Sequence, residues 1–308
     1  MDTRDLFFPS GGSKCAATLY LPDAPPPAAA GKPPVIVMAH GLGCVRAMGL
    51  ASYAGRFSAA GYACLVFDYR HFGDSEGEPR QLLSVARQRE DWQAAIACAR
   101  DLPETDGGRV IAWGASFAGG HVIAVAAERP DGLAAVIAQC PVANGPVSAL
   151  TAAHPLSAGR AFAAAVRDLA RARRGKPPHL IAVAGPPGTA AILTAPDAEP
   201  GYRSLVPPDT GWRNEVAARA VFDVLRQRPG RRAARITVPV LVALCETDPL
   251  TPAGPARRAA ARAPRGETRV YAIPHFGIYA GDGFDRAVAD QLDFLRRHVP
   301  VTGGPERD

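Results

Sequence analysis

No run of about 18 consecutive apolar residues occurs in the chain, so a membrane-spanning helix is excluded. Residues 1–22 place two acids and an arginine ahead of Phe7 and Phe8, without the basic start and apolar stretch of a signal peptide. A cytoplasmic location with no membrane partner is therefore expected. Cysteine is sparse: Cys15, Cys44, Cys64, Cys98, Cys140 and Cys245 form no CxxC pair, and no histidine stands at metal-ligand spacing from them. Neither a disulfide scaffold nor a metal site is expected, and nothing in the chain calls for a cofactor. The six thiols read as buried packing residues. Aromatic residues make up 7% of the chain and do not interleave with basic ones, so nucleic-acid recognition has no support. No internal repeat is visible.

What the chain does have is 308 residues that are 47% hydrophobic, enough for one large core. Its net charge of +6 is uneven. Residues 142–235 carry 14 basic against 6 acidic side chains, so the whole excess sits there. Apolar stretches rich in valine and isoleucine, without helical periodicity, predict buried strands over 34–39, 63–67, 110–113, 133–139, 239–245 and 268–273. Helix-length segments over 48–60, 84–100, 121–129 and 253–263 separate several of them. This alternation predicts an α/β fold with a mostly parallel central sheet covered by helices on both faces. Residues 5–8 and 14–21, joined through Ser10-Gly11-Gly12-Ser13, predict an antiparallel hairpin at one sheet edge. Residues 285–298 repeat apolar positions at helical spacing and predict a closing helix. The alternation stops between about 142 and 235. That segment reads as an inserted helical cap, with helices over 157–174 and 212–228 around a Pro-, Gly- and Ala-rich stretch over 177–208. The core is then 1–141 with 236–308.

The strongest chemical signal is the string V-I-A-W-G-A-S-F-A-G-G-H from Val110 to His121. A strand ends at Trp113 and a helix is predicted to start near Gly119, which puts Ser116 on a sharp turn between them. Such a turn needs small residues two positions either side of the nucleophile, and Gly114 and Ala118 supply them. Glycine is the usual residue at the second position, so Ala118 is a mild departure. A helix N-terminus behind the serine also favours negative charge developing there. Earlier in the chain, the strand over 34–39 runs into His40-Gly41-Leu42-Gly43, where backbone N–H groups can turn towards a substrate oxyanion. The expected donors are Leu42 N–H and Phe117 N–H. His40 has a rival reading as a base, against its role in shaping that turn. An acid and then a histidine should follow at later strand ends. Asp248 fits in Thr247-Asp248-Pro249, with Glu246 as the rival acid, and His275 fits in Pro274-His275-Phe276. His71, His121, His154, His179 and His298 occupy no comparable strand end. Serine is a weak nucleophile at neutral pH. His275 must take its proton, and Asp248 must hold the imidazole in the right tautomer.

Taken together, His40-Gly41-Leu42-Gly43, Phe67-Asp68-Tyr69-Arg70, Trp113-Gly114-Ala115-Ser116, Thr247-Asp248-Pro249 and Pro274-His275-Phe276 resemble the α/β-hydrolase superfamily. The resemblance covers about 210 residues on both sides of the insertion. The sequence is most similar to the cap-bearing esterase, dienelactone-hydrolase-related and polyketide-transferase-like branch. Dienelactone hydrolases carry a cysteine nucleophile where this chain has Ser116, and related dipeptidyl peptidases carry an extra β-domain for which it has no room. The resemblance thus implies a serine hydrolase acting on a small-molecule carboxylic ester or thioester through an acyl-serine. An acyltransferase sharing that acyl-enzyme is the alternative. A ligand-binding protein or a lyase on the same fold are further rivals. The basic insertion suggests a coenzyme A thioester or an acidic carrier protein as the acyl donor. Its competing reading is a solvated helix face bearing Arg167, Arg171, Arg173 and Arg174. A homodimer is compatible with the sequence.

Overall fold

The computed structural model describes residues 2–22, 31–208 and 210–301. The chain opens on β1 (Asp2–Ser10) and β2 (Ser13–Leu21), an antiparallel pair joined through Gly11-Gly12. It then alternates through β3 (Pro34–Ala39), α1 (Leu50–Ala59), β4 (Ala63–Phe67), α2 (Val85–Asp101), β5 (Asp106–Ala115), α3 (Phe117–Ala126) and β6 (Leu133–Gln139). The next elements leave the main sheet: α4 (Gly145–Ala152), α5 (Pro155–Ala172), β7 (Leu180–Ala184), β8 (Ala191–Leu193), α6 (Ala198–Ser204), β9 (Val216–Ala217) and α7 (Ala220–Arg226). Alternation resumes with β10 (Val240–Cys245), α8 (Ala253–Arg262), β11 (Gly266–Tyr271) and α9 (Gly281–His298).

Eight strands form one sheet in the order β1-β2-β4-β3-β5-β6-β10-β11. The hairpin lies at one edge and pairs antiparallel with β4, and every later pair is parallel. Side chains alternate between two apolar layers. In β3, Val35, Val37 and Ala39 join one core cluster, whereas Ile36 and Met38 join the other. A strand buried on both faces has no polar face to alternate with, which is why the sequence shows continuous apolar runs. Trp113 is fully buried, and its indole N–H donates to Gln291 Oε1 of α9 at 2.8 Å, tying the C-terminal helix to the sheet. Among the described residues, no helix is long and apolar enough to cross a membrane.

The segment between β6 and β10 matches the expected helical insertion only in part. A helix does occupy 155–172, but β8, β7 and β9 form a three-stranded sheet, and the helix expected over 212–228 is confined to Ala220–Arg226. Side-chain chemistry explains the change. Asn214 brackets Ala184 of β7, accepting from its N–H at 3.0 Å and donating to its carbonyl at 2.7 Å. That contact draws the following residues into sheet pairing, Ile181 with Val216 and Leu180 with Ala217. The buried Asp168 of α5 then accepts two hydrogen bonds from the Arg219 guanidinium, at 2.6 and 3.0 Å, and one from the His179 N–H at 2.7 Å. Arg167, Arg173 and Arg174 face solvent, and Arg171 bonds the Pro177 carbonyl.

Candidate active site

The carboxyl ends of β3, β5, β10 and β11 carry His40, Leu42, Ser116, Phe117, Asp248 and His275. Ser116 follows β5 directly, with φ 57° and ψ −114°, and α3 begins at the next residue. A positive φ is strained for a residue with a side chain. It is held here by neighbours on both sides. Ser116 N–H donates to Gln139 O of β6 at 2.8 Å, and Ser116 O accepts from Val142 N–H at 2.9 Å. A Cβ on Gly114 would stand 2.4 Å from Ala118 O, so the position before the turn must be glycine while alanine is tolerated after it. The elbow is therefore intact despite Ala118, and the helix starts two residues earlier than the sequence suggested.

Leu42 and Phe117 line one cavity together with Ser116. Phe117 is the first helical residue, so its N–H has no intrahelical acceptor. Among the described residues, neither Phe117 N–H nor Leu42 N–H finds one elsewhere. A Cβ on Gly41 would lie 3.0 Å from Ser116 Cβ, so the turn before Leu42 can approach the serine only because Gly41 lacks one. His40 is buried and braces this turn. Its Nδ1 accepts from Gly41 N–H at 2.9 Å, which puts its proton on Nε2, the atom that donates to the Met48 carbonyl. Burial, reinforced by the nearby His275, depresses its pKa to about 4. It is a neutral structural group.

Asp248 follows β10, and His275 opens the helical turn after β11. His275 Nδ1 donates to Asp248 Oδ2 at 2.5 Å, so Nε2 is the ring nitrogen outside this bond. Asp248 Oδ1 accepts from the N–H groups of Leu250 and Thr251, both at 2.8 Å, and Oδ2 accepts from the Thr251 hydroxyl at 2.6 Å. Burial alone would raise this carboxyl. The adjacent His275 and these hydrogen bonds outweigh it and hold the group below its ordinary range. Glu246 faces solvent beside Arg257 at 3.7 Å, away from the imidazole. Ser116 makes no hydrogen bond to His275, but it shares a cavity wall with Thr251, which bonds Asp248 and lies 3.4 Å from His275 Nδ1. That cavity, of about 40 Å³, is lined by Leu42, Phe117, Val142 and Leu250 from the sheet side and by residues of α4, β8 and α7 from the other. A larger one, of about 620 Å³, lies against Thr18, Arg46, Asp68 and Trp212 and contains none of these groups.

Several residues at the site escaped the sequence reading. Thr251 is one, although its place three positions after Asp248 is a turn signal that could have marked it. Tyr202 and Trp212 are two more. The Tyr202 hydroxyl donates to Leu42 O, and the Trp212 indole N–H donates to Gly43 O, each at 2.8 Å. The two rings stack at 6.2 Å, and Tyr202 meets Phe276, next to His275, edge-on at 5.7 Å. Cys140 is the fourth. Its thiol lies with the Asp248 carboxylate and the His275 ring in a group whose potential metal-ligand atoms are all within 4.8 Å of one another, and 3.2 Å from Cys245 Sγ. The carboxylate and imidazole already bond each other at 2.5 Å, which leaves no room for an ion between them. The Cys245 thiol and burial together push the Cys140 thiol well up, so it stays protonated beside the pair.

The chain is similar to several known proteins. The model of the X-Pro dipeptidyl-peptidase (S15 family) matches residues 11–172. The quorum-quenching protein AidA of Acinetobacter baumannii is 48% identical over 297 residues, which cover 96% of this chain and 95% of that protein. Thiohydrolase aneE of Aspergillus aculeatus is 35% identical over 120 residues, 39% of this chain and 36% of its own length. Among solved structures, the α/β hydrolase GrgF from Penicillium superposes with a TM-score of 0.81 at 22% identity, covering 97% of this chain and 99% of its own, which shows the fold. The chain is thus an enzyme of the α/β-hydrolase type and belongs to the X-Pro dipeptidyl-peptidase (S15) family within the α/β-hydrolase superfamily.

Proposed function

We propose that the protein hydrolyses a small-molecule carboxylic ester or thioester through an acyl-serine formed on Ser116, with residues 142–235 as a cap over the site. The observation that carries this reading is the strained Ser116 elbow beside two acceptor-free N–H groups, set at the same sheet end as the bonded Asp248–His275 pair. In the first half-reaction Ser116 Oγ attacks the carbonyl carbon, and its proton passes to His275 Nε2. The carbonyl oxygen becomes an oxyanion held by Leu42 and Phe117 N–H. Collapse breaks the bond to the leaving oxygen or sulfur, which takes the proton from His275. Water then attacks the acyl-serine and gives its proton to His275, the bond to Oγ breaks, and the proton returns to Ser116 as the acid departs. Asp248 stays ionised and stabilises the imidazolium formed in each half. Each oxyanion donor is worth about 3 kcal/mol in such sites.

Likeness to the quorum-quenching protein extends the reading to a bacterial signalling molecule whose bond is an ester, lactone or thioester. A fluorophosphonate should label Ser116 stoichiometrically, as read by mass spectrometry. Ser116→Ala should abolish that label and reduce turnover of a short p-nitrophenyl ester roughly 10⁴-fold or more. An alanine variant that keeps full activity would sink the reading.

A further inference from the structure

We infer that the acyl half of the substrate is an unbranched aliphatic chain, running from Ser116 through the insertion into a second apolar cavity. This rests on the acyl-serine reading above and adds what the acyl group must be. The second cavity, of about 180 Å³, is bounded by Ala158, Ala161, Phe162, Val221 and Leu225 of α5 and α7. It shares Ala149 of α4, Ile192 of β8 and Val224 of α7 with the cavity at Ser116. The two cavities thus share a wall to which three separate elements each contribute one small or aliphatic side chain. Away from Ser116 and Thr251, the inner cavity has one polar side chain in its wall, Ser148, and the outer has none.

The chemistry fixes which half of the substrate lies there. The leaving atom must face His275 to receive its proton, whereas the acyl substituent extends from the carbonyl carbon to the other side of the oxyanion donors. The inner cavity is walled by Leu42 and Phe117, and His275 is not among its walls. It therefore takes the group that remains on the serine. A polar or charged group in the outer cavity would find no hydrogen-bond partner on those walls, so the occupant is hydrocarbon. A group that reaches from Ser116 to the outer cavity must pass between Ala149, Ile192 and Val224, which favours a straight chain over a ring or branch. Phe162 is half-exposed and meets Phe222 edge-on at 5.6 Å, which gives the outer cavity an apolar rim at the surface of the insertion.

The test compares p-nitrophenyl butanoate with the decanoate. Each further methylene buried is worth up to about fourfold, so kcat/KM for the decanoate should exceed that for the butanoate by at least about tenfold. Val224→Phe, at the shared wall, should lower that ratio by about tenfold or more, and Val221→Phe, in the outer cavity alone, should lower it by a smaller factor. The second variant keeps the test open if the first does not fold, which thermal melting will show. A wild-type preference for butanoate, or a ratio unmoved in both variants, overturns the proposal. A separate arm needs no turnover: calorimetry of decanoate and butanoate binding to Ser116→Ala protein. Should neither ester be hydrolysed while decanoate binds at least about tenfold tighter and Val224→Phe removes the difference, the acyl-serine reading fails and the chain site stands. Equal binding of the two acids overturns the chain site itself.

Discussion

At the scale of single residues, the candidate site depends on a few hydrogen bonds around a buried carboxylate. Asp248 accepts four, and the one from the Thr251 hydroxyl can be removed without touching the backbone donors. Hydrogen bonds to the ionised form lower a carboxyl pKa, so Thr251→Val should raise that of Asp248. On the proposed mechanism, the acid limb of the pH–rate profile then moves to higher pH, and kcat/KM at neutral pH falls by about tenfold. A profile identical to wild type would deny Thr251 this role. Ser116, Asp248 and His275 were legible in the sequence because each directly follows an apolar run, and glycine or proline marks the turn. Thr251 was half-legible from its spacing. Cys140 was not, since its nearness to His275 arises from strand pairing between β6 and β10 that no local pattern encodes.

At the scale of elements, the core strands and helices were read to within a few residues, because burial on both sheet faces writes itself as unbroken apolar runs. The insertion was read poorly. Its strands are 5, 3 and 2 residues long, too short for any period to register, and prolines and glycines surround them. What makes the insertion consequential is its grip on the Leu42 turn through Tyr202 and Trp212, partners separated from that turn by 160 and 169 residues. Tyr202→Phe would leave the Leu42 carbonyl without its donor and free the turn to tilt its N–H away from the serine. We expect kcat to fall by about fivefold to tenfold with KM little changed. Steady-state kinetics well below the melting temperature separate this from simple destabilisation, which would lower the melting point and leave kcat intact.

At the scale of the whole molecule, acid stability follows from two histidines kept neutral by burial. His40 is depressed to about 4, and His121, which is bonded to Gln88 at 2.9 Å, to about 3. The unfolded chain takes up protons on both near pH 6.5, whereas the folded protein resists until much lower. Between those limits the unfolded state binds more protons, so stability declines as pH falls. The loss is about 2 kcal/mol per histidine at pH 5. Urea midpoints measured at pH 7 and pH 5 should differ accordingly, and His121→Gln should reduce the difference by roughly half. A midpoint that stays level across this range would rule the account out.

The bonds from Tyr202 and Trp212 to the carbonyls of Leu42 and Gly43 also bear on how this scaffold can be re-engineered. Exchanging an insertion between relatives looks like a modular way to recruit new substrates, with the sheet kept and the lid replaced. In this chain the segment between β6 and β10 also holds the turn after β3. A chimera that imports a foreign segment would acquire a new pocket and forfeit two donors at once. Transplants that carry a hydroxyl and an indole to those two carbonyls should retain turnover, while those chosen for pocket shape alone should bind their ligands and stall.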